Sequence, residues 1–470
     1  MSRSHGGAEV DDVTPGGISA TTFAATATPS VTGSLAVVRW RATPSLWLLV
    51  AAAALELLYV AVFALRDPLS ERLLYVPFVP AWSDRVLFTT ALGCATALYW
   101  ALWRWMPRAR GTWSDAIVLG AAAIHSATFV AMFPVSSHDI FAYIFRSRIL
   151  VDYHQNPFLV PPSSFPFDPF LAFVDFPSEP VPHGPVWVAV AAIALRLAGT
   201  TFVRMVLAFK VMAWLGYVAS VVLLYLLLRQ VAAREATWRL MLFAWNPILL
   251  FELAGNGHND GLMVCLALAS LLALVSRRIV VAATLLALAV AVKFVVLLFM
   301  PIVALWLWRT MDLRGDRLRV VTLWLALPIA ILAACYAPFW GGVRTLTFLR
   351  RGQYLTGSFA SVSAQLFAHV TPAATARVAA SLVAVGIYAV VFCAVCLRVT
   401  PTFHGLTLAL QDSMFWYLVI ACLWLQPWYL AWLAPLTSLA PVGWRPKALM
   451  WLCIAVEAIA LVGYTAVQSA

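Results

Sequence analysis

Long apolar stretches alternate with short polar breaks along most of this chain. A bilayer core is crossed by about 20 apolar residues, and paired or tilted helices use fewer. The pattern therefore predicts an all-α polytopic membrane protein, a bundle of about 13 transmembrane helices. The predicted spans lie near residues 44–65, 86–105, 115–134, 201–228, 238–254, 261–276, 279–292, 294–308, 320–339, 375–397, 405–425, 428–441 and 448–467.

Composition supports this class. The chain is 63% hydrophobic and 11% charged, whereas a soluble domain is about 45–50% apolar and about 25% charged. The net charge of +11 is interpreted through the positive-inside rule rather than as nucleic-acid affinity, because no soluble stretch is large enough to present a basic face. Residues 1–42 are rich in Gly, Ser, Thr and Ala, which predicts a disordered cytoplasmic tail before a membrane domain at 43–470. All seven cysteines fall in apolar stretches and are interpreted as core residues.

The basic residues between the second and third spans place that link in the cytoplasm and the following loop outside. The short apolar segment 185–198 satisfies the same rule if it lies along the outer surface as an amphipathic helix, so the outer loop covers 135–200. Two short helices meeting at Lys293 would put that residue at the outer face. The prediction is a multi-pass protein of the cell membrane with a cytoplasmic N-terminus.

The longest polar interruption runs from Pro134 to Trp187. It holds ten of the 27 prolines, three of the eight histidines and five carboxylates. The prolines forbid one continuous helix, and the polar groups forbid lipid exposure. The stretch is predicted to be a folded, water-facing loop that carries the chemistry.

Ser136-Ser-His-Asp139 opens a short helix within this loop, with Ser136 as the expected cap. Asp139, Tyr143 and Arg146 are spaced i, i+4 and i+7, so they share one helix face. Asp139 then fits a general base at the mouth of a cavity, while His138 lies beside it. The alternative is an ordinary capping box with a solvated carboxylate, and spacing does not decide between the two.

A second polar group, Gly255–Asp260, interrupts the apolar pattern between two spans. A Gly-Asn-Gly turn explains a helical hairpin, but His258, Asn259 and Asp260 exceed what a turn needs. Glu252 lies just below them, and an ionisable residue at membrane depth is a functional candidate. These four side chains are predicted to contact substrate.

Four of these groups, His138, Asp139, His258 and Asp260, offer ligands that a divalent metal accepts, although nothing in their spacing requires one. We therefore predict neither a metal nor another cofactor.

Cations and aromatic residues complete the predicted site. Lys293 either extends to the membrane surface or binds a lipid phosphate. The pair Arg350 and Arg351 allows the same two interpretations. Trp428 and Tyr429 are most simply part of an aromatic belt at the membrane surface, and the alternative is stacking on a sugar.

Several motifs together resemble a known family. They are Ser-His-Asp139-Ile-Phe-Ala-Tyr-Ile-Phe-Arg, Asn156-Pro-Phe, His183-Gly-Pro-Val-Trp, Trp245-Asn-Pro, Gly255-Asn-Gly-His-Asn-Asp and Val292-Lys-Phe. Over roughly residues 40–440 the chain resembles the GT-C-fold glycosyltransferases, most of all the polyprenyl-phosphate-mannose-dependent α-mannosyltransferases of lipomannan synthesis. The key loop here follows the third predicted span rather than the first, and no second acidic residue stands beside Asp139.

The resemblance implies an inverting transferase that moves a hexose, expected to be mannose, from a polyprenyl-phosphate donor to a glycan or glycolipid acceptor. The implied role of Asp139 is that of the base. His138, His258 and Asp260 would then position sugar hydroxyls at the extracytoplasmic face. The rival class is a transporter or flippase of a lipid-linked sugar, whose charges would line a path through the bilayer.

Overall fold

A computed structural model describes residues 44–66, 68–69, 82–105, 111–311, 314–346, 355 and 357–467. Within these ranges the protein is helical and contains no β-strand, as the apolar pattern predicts. The predicted tail at 1–42 lies outside the described residues, as do Arg350 and Arg351.

The described residues form a succession of α-helices. They are α1 Pro44–Tyr59, α2 Trp82–Trp105, α3 Thr112–Val130, α4 Asp139–Val151, α5 Pro185–Ala198, α6 Phe202–Val231, α7 Ala236–Ala244, α8 Pro247–Leu249, α9 Asp260–Val275, α10 Ile279–Val290, α11 Phe299–Thr310, α12 Arg314–Tyr336, α13 Phe359–Phe367, α14 Ala373–Leu397, α15 Phe403–Trp416, α16 Leu430–Leu439 and α17 Arg445–Val467. Helix α13 was not predicted; it falls between the predicted spans 320–339 and 375–397.

Six described helices are long and apolar enough to cross a membrane, or up to seven if one bent pair counts as a single span. These are α1 with its π-helical extension, α2, α3, α6, α12 with a short extension, and α14. The predicted number of about 13 spans is not confirmed, because many remaining apolar helices are short. Several of them meet at the polar breaks that the sequence marks.

The predicted span 238–254 is wrong as a single helix. Helix α7 ends at Ala244, and a new helical segment starts at Pro247. Proline has no N–H for a continuing helix, and the Asn246 side chain accepts hydrogen bonds from the N–H groups of Ile248 and Leu249. The new segment turns π-helical at Leu250–Gly255 and then bends by 114° into α9. This bend places the residues Gly255–Asp260, called here the polar tip, in the interior of the bundle.

Helices α6 and α9 approach each other closely through two glycines. A Cβ atom added at Gly216 would lie 2.9 Å from the Leu262 nitrogen, and one at Gly261 would lie 3.1 Å from the Tyr217 nitrogen. Small residues are common where membrane helices make backbone contact. The contact fixes the start of α9, where the polar tip ends.

Lys293 interrupts the apolar run between α10 and α11, as predicted. Lys293 has an extended backbone, with φ −152° and ψ 126°, and a 3₁₀ turn at Phe294–Leu298 leads into α11. The start of α5 is attached here: the N–H of Gly184 donates to the Val292 carbonyl, and the N–H of Val186 donates to the Ala291 carbonyl. These two hydrogen bonds join the start of α5 to the chain just before Lys293.

Helix α5 has the predicted bounds, and its position along the outer membrane surface stays a prediction. One face, including Trp187, Ala191 and Leu195, is buried, and α5 packs against α4 and α6. The other face carries the exposed apolar residues Ile193 and Leu197. A helix with apolar residues on both sides suits contact with protein on one side and lipid on the other.

Gly184→Ala should destabilise the protein, because the added Cβ would lie 2.0 Å from the Ala291 carbonyl oxygen. The loop would have to separate from the end of α10, at a cost of about 1–3 kcal/mol. Thermal unfolding of the purified protein checks this. Gly93→Ala is the control, because nothing lies within 4 Å of its added Cβ. Equal melting temperatures for the two variants would contradict the attachment.

Candidate active site

The polar breaks of the chain come together around Asn256. Its side-chain oxygen accepts hydrogen bonds from the N–H groups of Val135 and Ser136, at 3.1 and 3.2 Å. Its side-chain nitrogen donates to Ser136 Oγ at 2.5 Å and to Glu252 Oε2 at 3.1 Å. One buried amide thus joins the segment before α4 to the tip before α9. The two halves of the predicted site, which are more than a hundred residues apart in sequence, are neighbours.

The predicted cap of α4 is wrong. Ser136 Oγ donates to Glu252 Oε1 at 3.2 Å, so it serves the carboxylate rather than the helix end. The hydroxyl of Ser137 instead accepts the N–H of Asp139 at 3.2 Å. Ser136 and Asp139 therefore do not form a capping box, and the Asp139 carboxylate faces a different side chain.

That group is His258, which lies between two carboxylates. Its Nδ1 is 3.7 Å from Asp139 Oδ2, and its Nε2 is 3.2 Å from Glu252 Oε2. Both contacts are within ion-pair distance, and neither is a hydrogen bond. The side chains of His258 and Glu252 are 0% and 3% exposed, whereas that of Asp139 is 30% exposed. Asp139 is the member of this row that an incoming hydroxyl can reach.

The position of His258 depends on its neighbours. Gly257 precedes it with φ +75°, and a Cβ there would lie 2.7 Å from Ile140 of α4. Glycine accepts both the positive φ and the close approach. The His258 ring stacks on Trp428, with centroids 3.9 Å apart and an interplanar angle of 18°. One face of Trp428 is therefore covered by histidine rather than open to a sugar.

Tyr143 supports Asp139 from one turn along α4. Its hydroxyl donates to Asp139 Oδ2 at 3.3 Å, and its ring makes edge contacts with His183 and Trp187. Burial, followed by the negative charges of Asp139 and Asp260, raises the pKa of Tyr143 well above its usual value. The tyrosine therefore keeps its proton at neutral pH and remains a donor to Asp139.

A second charged pair adjoins this row. Lys293 Nζ donates to both carboxylate oxygens of Asp260, at 2.8 and 2.9 Å, and Trp432 Nε1 donates to the same carboxylate. The ammonium also lies 5.0 Å from the Tyr429 ring and 5.2 Å from the Trp432 ring, within cation–π range. The buried Asp260 carboxylate therefore offsets the positive charge of Lys293.

Two predicted residues lie farther out. His138 Nδ1 is 3.3 Å from Asp175 Oδ1, and buried Arg146 donates to the carbonyls of Phe176 and Glu179. Both contacts join the start and the middle of α4 to the segment 175–179 of the same loop. The structure therefore does not gather His138, Asp139, His258 and Asp260 as ligands; among the described residues, no group of three or more His, Cys, Asp or Glu side chains is arranged to hold a metal ion.

Asn259 completes the polar tip. Its side chain is 1% exposed, and neither its oxygen nor its nitrogen has a hydrogen-bond partner among the described residues. A buried amide without partners costs stability, so it indicates a ligand that supplies them.

An apolar groove lies beside Trp432, the residue that also donates to Asp260. It is narrow in this structure, with about 20 Å³ of free space. Its walls are Met263, Val264, Ala267, Leu268 and Leu271 of α9, Val296, Phe299, Met414, Trp432, Pro435 and Leu436. From residue 263 to residue 271 an α-helix rises about 12 Å. The groove thus follows the apolar body of α9 on the side that faces Trp432.

Sequence reasoning assigns no role to Asn256, which lies inside a quoted motif, to Trp432, or to Lys210 in a long apolar span. A further intramembrane pair, His125 Nδ1 and Glu56 Oε2 at 2.7 Å, joins α1 to α3. Lys210, Glu56 and His125 could have been found by the rule that ionisable residues at membrane depth are candidates. Asn256 and Trp432 carry no such signal.

Comparison with known proteins agrees with the motif resemblance. The family model described as "Alpha-(1->6)-mannopyranosyltransferase, N-terminal domain" matches residues 35–309, which is more than half of the chain. A 172-residue stretch is 25% identical to "Alpha-(1->6)-mannopyranosyltransferase A" of Corynebacterium glutamicum. This alignment covers 36% of the chain and 34% of that relative.

The family match contains every residue of the Asp139–His258–Glu252 row and both members of the Asp260–Lys293 pair. The resemblance to mannosyltransferases is thereby confirmed. The chain belongs to the alpha-(1->6)-mannopyranosyltransferase family.

Proposed function

We propose that the protein is an inverting mannosyltransferase. It moves mannose from a polyprenyl-phosphate donor to a hydroxyl of a glycan or glycolipid acceptor at the extracytoplasmic face. The observation that carries this proposal is the row of Asp139, His258 and Glu252, in which only the outer carboxylate is open to an acceptor. Family membership supports the choice of mannose.

Asp139 is the base in this reaction. Its carboxylate takes the proton of the acceptor hydroxyl while the hydroxyl oxygen bonds to the anomeric carbon. The bond from that carbon to the phosphate oxygen breaks, and its electron pair leaves with the polyprenyl phosphate. Attack from the side opposite the leaving group inverts the configuration. His258 adjoins Asp139 on its buried side, with Nδ1 3.7 Å from Oδ2, and Glu252 lies behind the histidine.

The leaving group needs no acid of its own. The second pKa of a phosphate monoester is about 6, so the phosphate departs as an anion at neutral pH. It does need positive charge. Lys293 supplies one contact, but Asp260 already offsets its charge. Arg350 and Arg351 would therefore provide the net positive charge at the phosphate.

The apolar groove suits the donor's tail. A tail lying along α9 would place its phosphate beside Lys293, because Trp432 belongs both to the groove and to the Asp260 contacts. The sugar would then project toward Asp139 and the amide of Asn259. His138, Arg146 and Tyr429 would act at the edges of this site.

Asp139→Asn should reduce transfer by about 10²–10⁴-fold, since the amide cannot accept the proton. Donor binding should stay within about threefold of wild type, because the substitution leaves size and shape unchanged. Radiolabelled transfer and donor-binding assays on purified protein check both quantities. Asp175→Asn is the matched control: this carboxylate lies in the same loop, contacts His138 and is 52% exposed. Normal turnover by the Asp139 variant would rule out the base assignment.

Ala267→Trp should weaken transfer from a long-chain donor by about tenfold or more, because filling the groove costs about 1–3 kcal/mol. Transfer from a donor with a very short chain should be nearly unchanged. Ala269→Trp on the same helix is the control, because Ala269 does not line the groove. Equal losses with both donors would show that the groove does not hold the tail.

One observation favours the rival, a transporter: the 114° break between Pro247–Gly255 and Asp260–Val275 is also seen in transport proteins. Single cysteines in a background without the seven native cysteines decide between the two. A cysteine at position 139 should react with an impermeant reagent only from outside. A cysteine at Trp113, which is exposed at the start of α3, should react only from inside. Reaction of position 139 from both sides would support transport.

A further inference from the structure

Lys210 is an ionisable residue that the proposed chemistry does not use. It lies in α6, a helix of 30 residues, and is 0% exposed. In the part of the chain that the structure describes, no carboxylate lies within ion-pair distance of its Nζ. A lysine held inside a membrane bundle without an acidic partner needs another source of stabilisation.

Backbone carbonyls provide it. Nζ donates to Phe129 O at 3.1 Å, to Gly255 O at 2.6 Å and to Met132 O. Three acceptors match the three N–H donors of an ammonium group. Two of them stand where helices end, α3 and the π-helical turn, and the C-terminal end of a helix favours a positive charge. The side-chain nitrogen of Lys210 therefore donates hydrogen bonds to carbonyl groups at the ends of both helical segments.

The two ends that Lys210 joins are the starting points of the two catalytic segments. After α3 the chain runs through Met132 to Asp139, and after Gly255 it runs to His258. Asn256 ties the same segments at a second point, through Val135 and Ser136. Lys210 also packs against this turn: its Cγ would be 3.6 Å from a Cβ at Gly257.

We propose that Lys210 is a positioning residue that sets the distance between Asp139 and His258 by holding the ends of α3 and the π-helical turn together. The proposal rests on the proposed function for its activity measurements, but its structural part stands without it. Lys210 touches neither the Asp139 carboxylate nor the groove, so its substitution should change the rate of the chemical step and leave substrate affinity alone.

Lys210→Met removes all three hydrogen bonds at similar side-chain length. We expect kcat to fall by about 100-fold, the loss that a shift of about 1 Å between reacting groups produces. The KM values for donor and acceptor should stay within about threefold. Lys210→Gln, which keeps two N–H donors, should fall between Met and wild type. Tyr225→Phe is the matched control: Tyr225 is also in α6, and its hydroxyl donates to Asp115 at the opposite end of α3 from Phe129.

Hydrogen exchange measured by mass spectrometry is the second readout. In Lys210→Met, exchange should quicken at residues 133–138 and 255–260 and stay unchanged in the rest of the bundle. In a His258→Ala background, Lys210→Met should cost much less activity than in wild type, because coupled residues are not additive. An unchanged kcat, additive losses, or faster exchange throughout the protein would overturn the proposal. If the wild type showed no transfer, the proposed function would fail, and local exchange would still decide whether Lys210 joins the two segments.

Discussion

A helix that breaks inside a membrane bundle leaves backbone groups that no water can satisfy, and this constraint organises the structure. The span after α7 breaks at Pro247, turns π-helical and stops at Gly255. Polar side chains take up the groups that are left: Asn246 at the start, Asn256 and Lys210 at the end. The break survives because these partners are buried with it, and they bring the other polar segments with them.

The buried polar groups lead to one carboxylate that solvent can reach. Asn256 and Ser136 hold Glu252, Glu252 adjoins His258, and His258 faces Asp139. Glu252 and His258 are buried, at 3% and 0% exposure, whereas Asp139 at the end of the row is 30% exposed. A carboxylate at the open end of a buried polar row can meet a hydroxyl from outside while its own position is fixed. The neighbouring Asp260–Lys293 pair and the groove beside Trp432 form the wall on which we place the donor.

Much of this could be predicted from the sequence. Apolar length gave the long helices, prolines and glycines located the breaks, and the interruption at Lys293 followed from one charge in an apolar run. What periodicity could not show was the path of the chain inside a break. Asn246-Pro247 ended a predicted span early, and Ser136 was taken as a helix cap although its hydroxyl contacts Glu252. The spacing of residues describes a single helix, whereas Ser136 and its partner Glu252 are 116 residues apart in the chain.

Ionisable residues at membrane depth are functional candidates, but only the fold shows which of them share a site. Glu252 and Lys293 lie at the candidate site, whereas Glu56 and His125 pair with each other between α1 and α3. Asp260 and Lys293 were both selected, yet their mutual contact was not foreseen, and it changes the role of the lysine because its charge is offset. Contacts of this kind require the fold, since 33 residues separate the pair.

The anomeric configuration of the product tests the central claim most directly. Purified protein would be given a lipid-phosphate mannose of known configuration, and the linkage formed would be determined by NMR. With Asp139 as a base that acts in a single displacement, the product carries the configuration opposite to that of the donor. A product with the donor's own configuration would mean that a carboxylate attacks the sugar as a nucleophile, and would contradict this account.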